Sequence, residues 1–418
     1  MSGRTLFQRL SEDPRVIHDA WHEVNRNARS LSHGIDEVRL NDYSAHAQTR
    51  LAKLRLKIKN GTFQFKELRA AVIPKEGGEY RALQVATIDD RVVQKAIEML
   101  IRKHLNNKYN LFNNPVSYAF IRTEDIDNYD ERNPQTYKGV RGAIEKLKNY
   151  SQQGFTWCLK ADIVNFFPSI NTEKLLKTLV FPALPDQTIN ELITSAFKQE
   201  VQISEATRKV LSPEQLEAYS DHNGLPQGSI LSPLFSNVYL SSFDKNLSDR
   251  GFIVIRYVDD FLVMTKSKED AKKAYSIAKD ELKELGLKLY SIGHKKSSIQ
   301  ETSEVTFLGV RLYQGNFFPS EKVFTKMMTK LAEYPKYKTL TKNFQSVQML
   351  VSSWAATYYF CSNDTAEYIR VNKALKDAVM RTLYKSRLKP LNNLGSRELR
   401  RLGIYQFDNA IVTYKDRK

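Results

Sequence analysis

Cysteine and long apolar runs are the two most obvious shortages in this sequence. Only Cys158 and Cys361 occur in 418 residues, too few for a disulfide framework and without metal-ligand spacing. No stretch of about 18 apolar residues occurs, and the N-terminus has no apolar segment typical of a leader peptide. We therefore expect neither a disulfide scaffold nor a membrane partner, and we expect a cytoplasmic protein.

Acidic residues are also in short supply. The chain has 64 Lys and Arg residues against 47 Asp and Glu residues, which gives a formal net charge of +17 and a pI of about 9.5. Residues 311–418 alone hold 20 basic and 8 acidic residues. This surplus indicates a polyanionic partner and a C-terminal lobe that binds phosphates. A solvated basic helical surface is the alternative.

Repeats and low-complexity tracts are absent, so the architecture must be read from periodicity and turn residues. The length is too great for one ordinary core and predicts two or three lobes. A helix is expected within residues 35–60, with Leu51, Leu54, Leu56 and Ile58 near its apolar stripe. Residues 69–85 alternate around Gly77-Gly78, which predicts a hairpin, and residues 87–104 return to a helical pattern.

The central part of the chain alternates between strand and helix patterns. Residues 156–170 and 251–265 contain apolar strands, and helices are expected at 172–199, 233–249 and 268–286. This interleaving indicates an α+β sheet domain with helices on one face.

Strand patterns fade after residue 312, and helical spacing replaces them. One helix is expected around residues 344–358, and another covers residues 365–386 with Ile369, Leu375, Val379 and Leu383 toward its core. The C-terminal part is therefore expected to be a basic helical lobe.

Three carboxylates stand where strands end. Asp162 follows an apolar strand, and Asp259-Asp260 lie at the tip of a tight hairpin. Adding a nucleotide to a primer needs two divalent cations about 4 Å apart, and Mg²⁺ prefers carboxylate oxygens. Each segment alone also fits an ordinary turn, so these carboxylates are candidates until the rest of the sequence is considered.

Five segments resemble, in order and spacing, the signature motifs of reverse transcriptases. They are Asp162-Ile163-Val164-Asn165-Phe166-Phe167; Gly224-Leu225-Pro226-Gln227-Gly228 with Ser232-Pro233; Tyr257-Val258-Asp259-Asp260; Leu285-Gly286-Leu287 with Lys296-Ser297; and Phe307-Leu308-Gly309-Val310. Five ordered matches within about 150 residues form a specific signal.

Upstream segments resemble the fingers of bacterial reverse transcriptases of the group II intron lineage. These segments are Ile73-Pro74-Lys75, Arg81-Ala82-Leu83, Asp90-Arg91-Val92-Val93-Gln94 and Ser117-Tyr118-Ala119-Phe120 with Arg122, where that family more often has Gly in place of Ala119. The resemblance implies a right-hand polymerase fold: an N-terminal extension (1–34), fingers (35–150), a palm with an antiparallel sheet (151–312) and a basic helical thumb (313–418).

The resemblance also implies roles for individual residues. Asp162, Asp259 and Asp260 would hold two Mg²⁺ ions, with Mn²⁺ as a possible substitute, and Lys75 and Arg81 would lie along the incoming triphosphate. Phe167 would lie under the sugar and select deoxynucleotides, and Gln227 would touch the forming base pair. Lys296 would protonate the pyrophosphate, with Lys295 as the alternative. Phe307, Leu308 and Gly309 would form the primer grip.

The function implied is RNA-directed DNA synthesis, with dNTPs as substrates and DNA as the product. The second motif resembles group II and defence-associated chains more than other bacterial types, which suggests a stand-alone enzyme of antiviral defence with a structured non-coding RNA as template. Two alternatives stay open: an untemplated polymerase of the abortive-infection type, and an RNA-binding maturase without catalysis. Oligomeric state is not indicated.

Overall fold

The computed structural model of this chain describes residues 3–26, 33–74, 80–213, 216, 219, 223–313, 315–362, 366–385, 395–402 and 404–407. It has two compact units. The first comprises Met1–Gly139 and Leu159–Ile299, and the second comprises Val140–Cys158 and Gln300–Lys418. In the described residues, no helix is both long enough and apolar enough to cross a membrane. The division into four segments expected from the sequence stays a prediction.

The first unit is mainly helical around its sheets. Its described α-helices are Leu6–Glu12, Pro14–Arg26, Leu40–Ala45, Ala47–Lys59, Ile88–Tyr109, Phe166–Ser169, Thr172–Leu175, Asn190–Ser195, Glu205–Arg208, Ser232–Tyr239, Ser241–Asp249 and Lys268–Glu284. Short 3₁₀ helices occupy Thr123–Asp125, Pro134–Thr136 and Phe181–Ala183, and a π-helix occupies Leu176–Val180. The helices expected within 172–199 are thus short and separate, because Pro182 and Pro185 lack the backbone donors that a continuous helix would need.

Helix Ile88–Tyr109 forms the centre of the first unit. The hydroxyl of Thr87 accepts a hydrogen bond from the backbone of Asp90 and caps the start of this helix. Asn110 then ends it in the left-handed conformation. Almost all residues of its first half are buried, charged ones included. The helical pattern expected from residue 87 is confirmed.

A small sheet carries the predicted hairpin. Strand β1 (Leu68–Pro74) pairs antiparallel with β2 (Tyr80–Val85), and β4 (Val201–Gln202) pairs parallel with β1. The hydroxyl of Tyr219 lies 3.1 Å from both the Ala71 and the Leu83 carbonyl oxygens and bridges β1 to β2. The Gly77-Gly78 turn lies outside the described residues.

A four-stranded sheet carries the candidate aspartates. Its strand order is β5 (Ile253–Tyr257), β6 (Asp260–Thr265), β3 (Trp157–Asp162) and β7 (Ser298–Glu301). Strands β5 and β6 pair antiparallel, with Tyr257 opposite Asp260. This arrangement confirms the expected α+β class with a palm-type sheet.

The second unit has a three-stranded sheet and a helical core. Strands β8 (Thr306–Phe307), β9 (Val310–Tyr313) and β10 (Asn316–Pro319) form consecutive antiparallel pairs. Its described α-helices are Gly139–Gln152, Glu321–Ala332, Leu340–Tyr358, Ala366–Lys385 and Ser396–Arg401. Strand pairing therefore continues past residue 312, which the sequence did not indicate.

Aromatic rings fill the core of the second unit. Trp354 packs against Phe324, Tyr358, Tyr368 and Phe407, with ring centroids 4.8 to 6.4 Å apart. Most apolar residues expected in the C-terminal helices are buried there. Two expectations about apolar stripes were wrong.

The two misplaced residues are Ile369 in the second unit and Leu56 in the first. Ile369 is 73% exposed on helix Ala366–Lys385, and Leu56 is 54% exposed on helix Ala47–Lys59. In each helix, neighbouring apolar residues already fill the buried face, so the turn of the helix directs the extra residue to solvent.

Candidate active site

The hairpin between β5 and β6 presents Asp259 and Asp260. Tyr257 pairs with Asp260, so Val258 and Asp259 form a two-residue turn. Val258 has a φ of +65°, an unfavourable conformation for a β-branched residue. The turn therefore places two consecutive carboxylates at one end of the sheet at a cost in backbone strain.

Asp162 reaches the same end of the sheet from the neighbouring strand. It is the last residue of β3, and the backbone N–H of Ile163 donates to the Asp259 carbonyl oxygen at 3.1 Å. Strand β3 lies beside β6 in the sheet order. The structure thus brings the three predicted aspartates to adjacent backbone positions.

The three carboxylates also interact electrostatically. The pKa of Asp260 is raised to about 7, chiefly by burial; Lys160 opposes this rise, and the charges of Asp162 and Asp259 add to it. Burial also raises the pKa of Asp259, with a second contribution from Asp162. Like charges in a poorly solvated place disfavour ionisation. Such a site gains from added positive charge.

The donor set fits a hard divalent cation. Oδ1 of Asp260 is buried and has no hydrogen-bond partner among the described residues. Across the same residues, no three His, Cys, Asp or Glu side chains already stand in an arrangement that would hold a metal ion. Mg²⁺ in such sites usually takes its other ligands from water and substrate phosphates. The three aspartates would therefore supply some of the ligands of a cation site, and water and substrate would supply the rest.

Lys296 provides the positive charge next to Asp162. Its Nζ donates to both Asp162 carboxylate oxygens at 3.0 Å and lies 5.0 Å from the centre of the Tyr290 ring. Burial alone would lower the pKa of Lys296, but the hydrogen bond and charge of Asp162 raise it above its ordinary value. The amine is thus protonated at neutral pH. Both Lys295 and Lys296 are exposed, and Lys296 is the one that contacts Asp162.

A stacked aromatic pair supports residues 290–296, which we call the lysine loop, and no sequence pattern indicated this pair. The rings of Tyr290 and His294 are 4.3 Å apart and nearly parallel. Nδ1 of His294 accepts a hydrogen bond from the backbone N–H of Lys296 at 3.2 Å. The backbone N–H of Tyr290 lies 3.4 Å from the Asp162 carbonyl oxygen. These contacts hold the lysine loop against the end of β3.

Phe167 lies on a short helix directly after the first aspartate. Helix Phe166–Ser169 begins after Asn165, which has a left-handed backbone. The Phe167 ring is half-buried and meets the buried Phe166 ring edge to face at 5.3 Å. Part of the ring therefore stays accessible, as a sugar-contacting residue requires.

The second motif packs directly on this helix. The backbone N–H of Leu225 donates to the Phe167 carbonyl oxygen at 2.9 Å. A Cβ on Gly224 would lie 2.6 Å from backbone atoms of Pro168, so a larger residue there would force the segments apart. Two segments that are distant in sequence thus form one surface.

Gln227 lies in a loop held from two sides. Its carbonyl oxygen accepts a hydrogen bond from the Gln84 N–H of β2 at 2.8 Å. Oε1 of Gln94, on helix Ile88–Tyr109, accepts from the Ile230 N–H at 3.1 Å and the Ser229 hydroxyl at 3.3 Å. The sequence did not mark Gln94 as part of this loop's support. Its place in the segment Asp90-Arg91-Val92-Val93-Gln94, which resembles a fingers motif, is the signal that could have done so.

Two basic residues, Lys75 and Arg81, were predicted to lie along the incoming triphosphate, and Arg81 is the one within the described residues. Arg81 is exposed on β2, and its charge lowers the pKa of Asp259, which places it within electrostatic reach of the aspartates. Lys75 lies outside the described residues.

The predicted primer-grip residues belong to the second unit. Phe307 is fully buried, while Leu308 and Gly309 form the turn between β8 and β9 with positive φ angles. The Gly309 carbonyl oxygen accepts a hydrogen bond from the Ser320 N–H at 2.8 Å. This turn is therefore fixed to the start of helix Glu321–Ala332.

Comparison with known families identifies the central part of the chain. The sequence model described as "Reverse transcriptase (RNA-dependent DNA polymerase)" matches residues 73–312, more than half of the chain. This range includes all three aspartates, Lys296 and the β8–β9 turn.

Several curated proteins are similar to this chain. A putative COX1/OXI3 intron 2 protein of Saccharomyces cerevisiae is 24% identical over 250 residues, 59% of this chain and 25% of that protein. Protein YkfC of Escherichia coli is 23% identical over 242 residues, 58% and 57% of the two chains. The group II intron-encoded protein LtrA of Lactococcus lactis is 23% identical over 300 residues, 71% and 41%. The chain thus spans less than two thirds of each relative.

Solved structures with detectable similarity include two assemblies. A chain of a partial Cas6-RT-Cas1–Cas2 complex matches with a TM-score of 0.37 and 23% identity, over 68% of this chain and 42% of that chain. An apo telomerase from Candida tropicalis matches with a TM-score of 0.39 and 14% identity, over 97% and 82%.

Proposed function

Because this chain belongs to the reverse transcriptase family, we propose that it is an RNA-directed DNA polymerase whose chemistry takes place at Asp162, Asp259 and Asp260. The observation that carries this proposal is the convergence of the three carboxylates at one end of the sheet. Burial and mutual repulsion raise the pKa of both Asp259 and Asp260 there. Bound cations would relieve that repulsion.

Two Mg²⁺ ions are the cations that this donor set suits, with Mn²⁺ as a substitute. Asp162 and Asp259 would hold them, and the unpartnered Oδ1 of Asp260 would complete the acidic cluster. When bound, such ions activate the attacking primer hydroxyl and stabilise charge on the transferred phosphoryl group. The carboxylates would be ionised in that state.

Fixed cations of the protein would act on the triphosphate. Arg81 lies within electrostatic reach of Asp259 and would offset phosphate charge, together with Lys75. Nζ of Lys296 is protonated and donates a hydrogen bond to Asp162. We propose that it transfers its proton to the leaving pyrophosphate after it releases this carboxylate.

Substrate choice is assigned to residues beside the aspartates. The accessible part of the Phe167 ring would collide with a 2′-hydroxyl and so select deoxynucleotides. Gln227, held by β2 and Gln94, would contact the forming base pair. The β8–β9 turn, with Phe307, Leu308 and Gly309, would contact the primer.

A template-copying assay tests this function. The purified chain is given a primed RNA of defined sequence and all four dNTPs, with Mg²⁺ or with EDTA, and the product is sequenced. The proposal predicts Mg²⁺-dependent product that is complementary to the template. Product of unrelated sequence would indicate the untemplated type of polymerase, and RNA binding without synthesis would indicate a silent maturase.

The finer proposal is that synthesis serves antiviral defence in the cytoplasm, with a separate structured RNA as template. Its support is the second motif, Gln227-Gly228-Ser229-Ile230-Leu231-Ser232-Pro233, together with the basic C-terminal quarter, which suits RNA phosphates and 2′-hydroxyls. A host carrying the gene and its flanking DNA should resist phage. Resistance should vanish in the Asp259→Ala, Asp260→Ala variant, and copurified RNA of random sequence would contradict a dedicated template.

A further inference from the structure

A buried ion pair lies directly behind the turn that carries Asp259 and Asp260. Arg256 is 0% exposed and Asp244, on helix Ser241–Asp249, is 1% exposed. Nε of Arg256 donates to Oδ1 of Asp244 at 2.7 Å, and Nη2 donates to Oδ2. Burying such a pair costs about as much desolvation as the attraction returns. The pair is therefore a weak source of stability, and its main effect is to fix geometry.

The remaining nitrogen of Arg256 holds the catalytic turn itself. Nη1 donates to the Val258 carbonyl oxygen at 3.1 Å and to Oδ1 of Asn237 at 3.1 Å. Val258 is the residue with the unfavourable φ of +65°, and such strain persists only where surrounding contacts maintain it. A guanidinium is planar and rigid. Once Asp244 fixes one edge of it, the position of Nη1 is fixed too.

The surrounding contacts fix this arrangement from several sides. Nδ2 of Asn114 donates to Oδ2 of Asp244 at 3.2 Å. The backbone N–H of Arg256 donates to the Val116 carbonyl oxygen at 2.8 Å. Nδ2 of Asn237, on helix Ser232–Tyr239, donates to the Ala119 carbonyl oxygen at 3.1 Å. Two helices and residues 114–119 thus anchor the guanidinium behind the turn.

We propose that Arg256 is a positioning residue: by holding the Val258 carbonyl, it keeps the turn in the conformation that directs Asp259 and Asp260 toward the bound cations. This inference rests on the proposed function of the aspartates. It assigns Arg256 no contact with substrate. Its loss should weaken cation binding while leaving the fold intact.

Arg256→Lys is the variant that separates positioning from charge. Lysine keeps the positive charge opposite Asp244, but its single ammonium cannot hold both Asp244 oxygens and the Val258 carbonyl. Arg250→Lys is the matched control, because Arg250 forms an ion pair with Glu281 on helix Lys268–Glu284 instead of contacting the turn. A second variant, Arg256→Met with Asp244→Leu, replaces the whole pair by apolar residues of similar size and serves if Arg256→Lys does not fold.

Mn²⁺ binding is the main readout, measured by electron paramagnetic resonance on protein with dNTP and a primer–template whose primer lacks its 3′-hydroxyl. The Mg²⁺ concentration for half-maximal extension and the melting temperature are measured in parallel. We expect Arg256→Lys and the apolar double variant to need at least tenfold more Mn²⁺ and Mg²⁺. The KM for dNTP at saturating Mg²⁺ should stay within about twofold, and Arg250→Lys should behave as wild type.

Two different results would overturn the inference: one would remove only the role of Arg256, and the other would remove the cation site as well. Normal Mn²⁺ binding by the folded Arg256 variants, in a protein whose Asp259→Ala, Asp260→Ala variant loses Mn²⁺, would remove the role of Arg256 alone. Full Mn²⁺ binding by the aspartate variant would overturn the cation site itself, and the role of Arg256 with it.

Discussion

Asp260 shows how a single residue can link fold, charge and function. Its pKa is raised to about 7, chiefly by burial, so the folded protein without cations retains a proton that the unfolded chain releases near pH 4. Unfolding free energy therefore falls as pH rises between about 4 and 7, and the loss is complete above pH 7. Cation binding would remove this penalty, because the ionised carboxylate then has a partner.

Asp260→Asn should remove this dependence on pH. In EDTA, we expect the variant to melt close to the wild type near pH 4 and a few degrees above it at pH 8. Added Mg²⁺ should stabilise the wild type more than the variant. Thermal unfolding monitored by circular dichroism measures both effects.

The control for this experiment is Asp280→Asn, a similar change on the exposed face of helix Lys268–Glu284. Its melting temperature should track that of the wild type across the pH range. A constant difference between Asp260→Asn and wild type from pH 4 to pH 8 would contradict the burial argument.

Phe167 gives a second prediction at the scale of one residue. Its half-buried ring can act as a barrier to a 2′-hydroxyl. In Phe167→Ala, the ratio of ribonucleotide to deoxynucleotide incorporation should therefore rise by about one to two orders of magnitude, which corresponds to roughly the 1–3 kcal/mol that pocket sterics provide. Single-nucleotide incorporation with dNTP and rNTP measures the ratio. Phe166→Leu, a change to the buried neighbour, is the control and should keep discrimination. An unchanged ratio in folded Phe167→Ala would make this ring part of the core.

Residue patterns predicted that the three candidate aspartates would lie together better than they predicted the contacts around them. Asp162, Asp259 and Asp260 could be found because strand ends and a hairpin mark them locally. The contacts of Lys296 with Asp162, Gln94 with Ile230 and Arg256 with Val258 join positions that are far apart or face inward. No local pattern encodes them, since they depend on how the chain packs.

At the scale of elements, apolar periodicity predicted most helices and the β1–β2 hairpin. Apolar periodicity failed where prolines, neighbouring apolar residues or strand pairing determined the local structure. Prolines keep the helices expected within 172–199 short, and Leu56 and Ile369 lie on helix faces whose buried positions other residues already fill. Strand β10 was missed because its four residues, Asn316–Pro319, gain their conformation from pairing with β9 rather than from a periodic sequence.

Gly228 tests whether the second-motif loop must lie close to β2. It has a φ of +128°, and a Cβ there would lie 2.4 Å from the Gln84 carbonyl oxygen. Gly228→Ala should therefore displace the loop and reduce primer extension at least tenfold. Steady-state extension and melting temperature are measured together.

Gly61→Ala is the matched control for backbone strain. Gly61 also has a positive φ, but its Cβ would meet open space. We expect this variant to lose about 1 kcal/mol of stability and to keep its activity. Equal activity of the two alanine variants would show that close packing against β2 is dispensable.

At the scale of the whole molecule, the family and fold class were predictable, but the grouping into compact units was not. Helix Gly139–Gln152 groups with the C-terminal part of the chain, where Nη1 of Arg141 donates to the Tyr359 hydroxyl at 3.0 Å. The Thr302 N–H donates to the Thr156 carbonyl oxygen at 2.9 Å in the same unit. A segment that lies between the fingers and palm motifs in sequence thus packs with a distant one, which local patterns cannot show.

The uneven net charge gives a prediction about nucleic-acid binding. Lys326 and Lys330 are exposed one turn apart on helix Glu321–Ala332. If they contact phosphates, changing both to Gln should reduce the slope of log affinity against log salt by up to about 2. Fluorescence anisotropy with a primed RNA at several salt concentrations measures this slope.

The matched control changes Lys272 and Lys279, which are exposed on helix Lys268–Glu284, to Gln. This pair removes the same net charge from the first unit and should alter the slope by less. Equal effects of the two pairs would show that net charge matters and that the lysines of helix Glu321–Ala332 have no specific role.

The most direct test of the central claim is the rate of primer extension on an RNA template as Mg²⁺ is titrated, for the wild type and for Asp259→Ala, Asp260→Ala. Two-metal catalysis predicts a wild-type rate that rises with Mg²⁺ and disappears in EDTA. Because each lost factor of ten corresponds to about 1.4 kcal/mol, the loss of several kcal/mol of charge stabilisation predicts a variant rate at least roughly 10³-fold lower at every Mg²⁺ concentration. A folded variant that extends the primer at the wild-type rate, or a wild type that is fully active in EDTA, would contradict the account.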